Sequence, residues 1–193
     1  MNLSITKEDV DKLPLEKCSI EVVVVENRLV AESAIEQLKQ TQQIGFDTET
    51  RPSFKAGYEN QNKVALLQLS TETKCFLFRL NKIGFYKPLF DLLEEGTIRK
   101  IGFSVSNDLS SLRKNVNFEP NGFVDLQHEA KILGFESLSL QKIYALLFKK
   151  KISKRQRLSN WEATKLTDAQ ENYAALDAWC CLRIYKKFRF LHK

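Results

Sequence analysis

The stretch Ile44-Gly45-Phe46-Asp47-Thr48-Glu49-Thr50 restricts the fold more than any other part of the chain. An apolar run leads into two carboxylates one residue apart, and Arg51-Pro52 then stops regular structure. Successive side chains on a strand point to opposite faces, so Asp47 and Glu49 project from one face, a single pleat apart. Two acids so placed repel each other unless a cation or a shared proton sits between them. Taken alone, the stretch fits either a solvated strand end or one wall of a cation site. The choice depends on whether the rest of the chain aims further acids at the same point.

The flanking sequence predicts a mixed sheet with helices. Residues 6–13 form a short helix that Pro14 ends, and residues 20–25 are β-branched and extended. Ala31, Ala34, Ile35 and Leu38 keep helical spacing over 31–40. Residues 64–69 and 75–80 are two apolar strands whose short polar link makes them antiparallel. Leu89, Phe90, Leu92 and Leu93 mark a helix that Gly96 is expected to close. Residues 98–103 follow as a strand reached through a helix, hence parallel to one already laid down. A short last strand at 122–125 precedes helices at 126–133 and 140–148. With no repeat and no linker, this predicts a single domain over 1–193, its core at about 20–190. The fold class is α/β, a mixed sheet of five to six strands flanked by helices.

Two later segments supply acids. Asp108 follows the 98–103 strand and falls in the first turn of a helix spaced by Leu109, Leu112 and Val116. An acid there also complements the helix dipole, so Asp108 alone is a weak candidate. The last helix is more informative. Thr167 and Gln170 form a capping box, and Tyr173, Asp177, Cys181, Ile184, Phe188 and Leu191 make one inward stripe. Asp177 is its single charged member, and a carboxylate on a buried face is costly unless paired or coordinated. Tyr173 stands one turn before it, on the same face.

Composition narrows the chemistry. At 43% hydrophobic and 28% charged residues, the chain has the balance of an ordinary soluble protein. No apolar run approaches the roughly 20 residues of a membrane span, and the N-terminus lacks a signal-peptide pattern. An intracellular protein is expected, cytoplasmic or, in a eukaryote, nuclear. Cys18, Cys75, Cys180 and Cys181 lack C-x-x-C spacing, and only His128 and His192 are present, which argues against zinc and against a nucleophilic triad. The net charge of +6 has one source: Lys149, Lys150, Lys151, Lys154, Arg155 and Arg157 lie within nine residues that contain no acid. Without them the chain holds 24 basic and 24 acidic residues. So local a concentration favours phosphate contact over a solvated charge run or a nuclear-import signal. The polar connection 51–63 suits a substrate-facing loop, in which Phe54 and Tyr58 either stack on a base or fold back on the core.

The order D-x-E, then D after a strand, then Y-x-x-x-D resembles the three motifs of the DEDDy branch of 3′–5′ exonucleases. Phe46-Asp47-Thr48-Glu49-Thr50 resembles proofreading exonucleases. Lys63-Val64-Ala65-Leu66-Leu67-Gln68-Leu69, Ile101-Gly102, Ser159-Asn160-Trp161, Leu166-Thr167 and Tyr173-Ala174-Ala175-Leu176-Asp177 are closer to Werner-type exonuclease domains. One departure is Leu109-Ser110 after Asp108, where Werner-type relatives often carry a bulky aromatic two residues past the acid. The resemblance implies a ribonuclease H-like fold and a two-metal mechanism with Mg²⁺ or Mn²⁺. In it Asp47, Glu49 and Asp177 bind the first ion, and Asp47 bridges to the second. Asp108 acts on that second ion directly or through water, and Tyr173 orients the attacking water. The implied partner is nucleic acid with a free 3′ end, contacted by Thr50 and the basic segment, and the implied product is a nucleoside 5′-monophosphate. DNA is favoured over RNA, although ribonuclease D shares the same five residues. A catalytically inactive nucleic-acid-binding relative and a hydrolase of small phosphates are the other readings. The first conflicts with an intact set of five motif residues, and the second leaves the basic segment without a role. No membrane partner is expected, and no protein partner is identifiable from the sequence.

Overall fold

The computed structural model describes residues 3–52 and 63–191. Its sheet has six strands: β1 (Glu21–Val25), β2 (Gln43–Thr50), β3 (Val64–Ser70), β4 (Lys74–Arg79), β5 (Arg99–Gly102) and β6 (Phe123–Asp125). Their order is β1-β4-β3-β2-β5-β6. The β3 strand is antiparallel to both its neighbours, and every other pairing is parallel. The antiparallel β3/β4 pair and the parallel return of β5 beside β2 match the sequence reading. Every residue of β3 is buried, as expected for a central strand covered on both faces.

Eight helices surround this sheet among the described residues. α1 (Lys7–Lys12) is capped by Thr6, whose hydroxyl oxygen accepts from the Asp9 N–H at 3.1 Å. α2 (Arg28–Lys39) is capped by Asn27, which accepts from the Val30 N–H at 3.0 Å. α3 (Leu80–Ile83) and α4 (Lys87–Glu94) follow β4, so Leu80 opens a helix instead of ending the strand. α5 (Val105–Arg113) ends before Val116, which still packs against the core. α6 (Leu126–Ile132), α7 (Leu140–Phe148) and α8 (Asp168–Leu191) complete the set.

One layer is formed by α2 and α4, whose Ala34, Ile35, Leu38, Leu89 and Leu93 cover Ile44, Phe46, Leu67, Phe76 and Phe78. The α8 helix covers the other face, across β2, β3, β4 and β5. Its capping box forms as expected: the Gln170 N–H donates to the Thr167 hydroxyl at 3.3 Å, and Gln170 Oε1 accepts from the Thr167 N–H at 3.0 Å. The single inward stripe needs correction. Residues 173–182 are buried on all sides, because α8 lies between the sheet and α6 and α7, whereas Leu191 at its end is 37% exposed. Gly96 also differs from expectation. It has no positive φ, and α4 ends at an extended Glu95. A Cβ at Gly96 would lie 2.7 Å from the Asn121 amide nitrogen, so its smallness serves packing. Among the described residues no helix is long and apolar enough to cross a membrane.

Candidate active site

The site begins with a glycine. Gly45 faces α8 two residues before Asp47, and a Cβ there would lie 1.9 Å from the backbone oxygen of Ala178. Only glycine lets the helix settle this closely on the strand. Asp177, the residue before Ala178, is thereby set beside the strand acids. One carboxylate oxygen from each of Asp47, Glu49 and Asp177 lies within 4.8 Å of the others. Glu49 is 9% and Asp177 8% exposed. A register irregularity between Glu49 and Thr50 closes the strand, with Thr50 half-buried opposite Val64.

Asp108 reaches the site from the other side. Ser104, in the left-handed region at φ 60°, turns the chain from β5 into α5. The Asp125 carboxylate accepts from the Ser104 and Val105 N–H groups, each at 3.0 Å, and from the Gln127 N–H at 2.9 Å. Asp125 therefore fixes the start of α5 and α6 together. One turn on, Asp108 accepts a 2.6 Å hydrogen bond from the Thr48 hydroxyl, between the two strand acids. It lies outside the three-acid cluster but close enough to repel Asp47. Tyr173 hydrogen-bonds Asp177, and its ring lies 6.0 Å from that of the fully buried Trp161.

The charge balance is one-sided. Burial, then the charges of Asp108, Asp177 and Glu49, holds Asp47 well above the ordinary carboxylate range. Burial and the charges of Asp177 and Asp108 push Glu49 up to about 9, against a weaker opposing pull from Arg157. Burial raises Asp108 to about 7 despite the Thr48 bond, and Asp177 to about 7 despite Tyr173 and Lys154. The Tyr173 hydroxyl is also raised, by burial and by the charges of Asp177 and Glu49. No ion pair among the described residues includes any of the four acids. The two fully buried cations are engaged elsewhere: Arg79 with Glu26 at 3.1 Å and the Ala163 carbonyl, Lys100 with the Glu95 carbonyl at 2.6 Å. A hidden arginine partner for Asp177 is thus absent among the described residues.

These residues fit a hard divalent cation. The donors are all carboxylate oxygens, the ligand type that suits hard divalent cations. Ligands around an octahedral ion with bonds of about 2.1 Å stand about 3 to 4.2 Å apart, and the 4.8 Å spread of this cluster is close to that span.

The remaining candidates divide. Lys154, Arg155 and Arg157 are exposed. Lys150 instead pairs with Glu16 at 2.7 Å, Lys151 donates to the Asp11 carbonyl, and Lys149 ends α7 at φ 55°. Phe54, Tyr58 and the rest of 53–62 lie outside the described residues, as does His192. Cys75, Cys180 and Cys181 are buried core residues, and Cys18 is half-buried. Sequence reasoning missed Gly45, Thr48, Asp125 and the contact of Trp161 with Tyr173. A glycine inside a strand, which marks close backbone approach, was the available signal for the first.

A sequence model of a family described as 3′–5′ exonuclease matches residues 22–191. The chain is 35% identical over 150 residues to the bifunctional 3′–5′ exonuclease/ATP-dependent helicase WRN of Mus musculus, covering 75% of this chain and 11% of that protein. It is 31% identical over 153 residues to a 3′–5′ exonuclease of Arabidopsis thaliana, covering 77% of this chain and 53% of that protein. It thus spans from about a tenth to about half the length of these curated relatives. The EXO domain of Aedes aegypti Nibbler superposes with a TM-score of 0.78 and 24% identity, over 93% of this chain and 91% of that one. That likeness is one of architecture, and the architecture is ribonuclease H-like.

Proposed function

Because this chain belongs to the 3′–5′ exonuclease family, we propose that it hydrolyses nucleic acid stepwise from the 3′ end, DNA in preference to RNA, releasing nucleoside 5′-monophosphates. The observation that carries this reading is the convergence of four acids from β2, α5 and α8, Glu49 and Asp177 buried and Asp47 and Asp108 half-buried, with no ion-pair partner among the described residues. The preference for DNA rests on the motif resemblance to Werner-type domains, together with the identity to a WRN protein.

Asp47, Glu49 and Asp177 would hold one Mg²⁺ or Mn²⁺, with Asp47 shared with a second ion that Asp108 serves directly or through water. When bound, such ions supply positive charge to the attacking and leaving oxygens of an in-line phosphoryl displacement and lower the pKa of bound water. The protein's own groups set the geometry. Thr48 fixes one Asp108 oxygen, and Asp125 fixes the helix that carries it. Tyr173 keeps its proton, since its pKa lies above an already high ordinary value, so its hydroxyl orients water by hydrogen bonding and does not act as base. The exposed Lys154, Arg155 and Arg157 contact backbone phosphates, a role that Thr50, at the end of β2, would share.

The test is a 5′-labelled strand incubated with Mg²⁺ or Mn²⁺, compared as single-stranded DNA, recessed duplex DNA and RNA. A ladder shortening from the 3′ end is expected, fastest on DNA. Asp47→Asn and Asp177→Asn should each lower the rate by roughly 100-fold or more. Undiminished activity in both variants would remove the site assignment, and faster loss of RNA would reverse the substrate preference.

A further inference from the structure

The family match begins at residue 22, yet the chain before it is joined closely to the basic segment. Leu15 forms a parallel bridge with Lys151; the Glu16 N–H donates to the Lys151 carbonyl at 2.8 Å, and the Lys151 N–H to the Pro14 carbonyl at 2.9 Å. The Lys151 ammonium donates to the Asp11 carbonyl. Glu16 anchors the join. Its side chain is 4% exposed and accepts from Tyr144 on α7 at 2.5 Å, Lys150 at 2.7 Å and Arg183 on α8 at 3.0 Å. The Arg183 guanidinium also donates to the Tyr144 hydroxyl and lies over the rings of Phe148 (4.3 Å) and Trp179 (4.5 Å). One buried carboxylate thus joins residues 11–18, an N-terminal arm, to α7, the basic segment and α8, the helix that carries Tyr173 and Asp177.

The arm also reaches the site. Leu15, Glu16, Lys17 and Cys18 line a cavity of about 430 Å³ together with Arg155 of the basic segment and Tyr173 of α8. What the arm fixes is the short irregular run from Lys149 to Arg157, which has no strand or helix of its own beyond the bridge at Lys151. Three exposed cations on such a run lose conformational freedom on gripping a strand, and a run already pinned at one end loses less.

We propose that residues 11–18 are a clamp that pre-orders the basic segment beside the acid site, with Glu16 as the positioning residue on which the clamp depends. The proposal rests on the exonuclease reading above, because it assigns the segment to substrate binding. Lys149–Lys151 are then the held end of the segment, and Lys154, Arg155 and Arg157 are the end that meets phosphate. Glu16 touches no reacting atom, so its loss acts on binding and leaves the chemical step alone.

Steady-state kinetics on a labelled oligonucleotide with Mg²⁺ test this with the full chain. Glu16→Ala should raise KM roughly tenfold with kcat changed less than about twofold. Glu16→Gln, whose single amide oxygen can accept from Tyr144 or from Lys150 but not from both, and which loses the ion pairs, should fall between wild type and Glu16→Ala. Trypsin under native conditions should cut the 149–157 run faster in Glu16→Ala while the melting transition stays cooperative. An active wild type with unchanged KM and an unchanged cleavage pattern in the variant would overturn the clamp. If Glu16→Ala fails to fold, Glu16→Gln decides, and wild-type KM in that variant overturns it equally. A wild type with no nuclease activity would instead overturn the exonuclease reading, while the trypsin comparison would still test the clamp.

Discussion

Glu16 and the group of four site acids lie at two places along α8, and their surroundings are opposite. At Glu16 burial pushes the pKa up, but hydrogen bonds from Lys150, Tyr144, the Lys17 N–H and Arg183 more than reverse it, and the group titrates below its ordinary range. At Asp47, Glu49, Asp108 and Asp177 burial has the same sign and prevails: at Asp47 and Glu49 repulsion from the other site acids adds to it, and at Asp108 and Asp177 it outweighs the Thr48 and Tyr173 hydrogen bonds and the Lys154 charge. Burial therefore does not distinguish a structural acid from a binding one; completeness of partners does. A buried charge with its counter-charges in place contributes to the fold. Four clustered acids without them can ionise together only at a cost that an incoming cation removes.

The strongest attack on this contrast is geometric. Gly45→Ala places a methyl 1.9 Å from the Ala178 oxygen, so α8 must lift from β2. We expect a stability loss of about 3 kcal/mol or more, at the upper end for overpacking, and loss of metal-dependent activity even in molecules that remain folded. Denaturant unfolding with a parallel Mn²⁺ titration checks both, and normal metal affinity in this variant would break the link between the close approach and the site.

Next in size is the opposite response of the two groups to neutralisation. Glu16→Gln should destabilise by about 1–3 kcal/mol, below the full cost of a broken buried pair because Lys150 and Arg183 are 45% and 33% exposed. Asp177→Asn without metal should be neutral or stabilising at pH 8. Thermal melts in EDTA check the pair; equal destabilisation by both would mean that the site acids are structural.

A smaller effect follows from pH. Between the ordinary carboxylate pKa near 4 and their own raised values, the site acids bind more protons folded than unfolded. Their contribution therefore falls as pH rises from about 4 through 7, where Asp108 and Asp177 titrate, to about 9 for Glu49. Glu16 has the reverse sign: its contribution is present above the ordinary range and is lost as pH falls below it. In EDTA, the stability difference between wild type and Asp177→Asn should therefore narrow from pH 8 to pH 5, whereas that between wild type and Glu16→Gln should hold steady over that range.

The two groups also differed in how visible they were in the sequence. Asp47 and Glu49 follow from strand alternation, and Asp177 from its place on an apolar helical stripe, because each breaks a local pattern. The sheet was readable for the same reason: short apolar runs and a polar link fix the β3/β4 pair, and a helical crossover fixes β5 as parallel. The Glu16 cluster breaks no pattern. Its members, residues 16, 144, 150 and 183, meet only through the tertiary fold, and nothing in the basic run itself separates Lys150, which pairs with Glu16, from the cations left exposed. The full burial of α8 was hidden similarly. Ala174, Ala175, Ala178 and Cys180 are small residues that give little periodic signal, yet they let the sheet and two helices approach from several sides. Gly45 is the intermediate case, a visible anomaly in a strand whose consequence needed the position of Ala178.

Calorimetric titration of the metal-free protein with Mn²⁺ at pH 7, in two buffers of different ionisation enthalpy and without nucleic acid, tests the contrast most directly. Acids held protonated by burial and by one another must release protons as a cation takes their place. We expect binding accompanied by release of at least one proton, abolished or strongly weakened in Asp177→Asn and unchanged in Glu16→Gln. Absence of Mn²⁺ binding, or binding with no proton release, would contradict the assignment of these acids as a cation site.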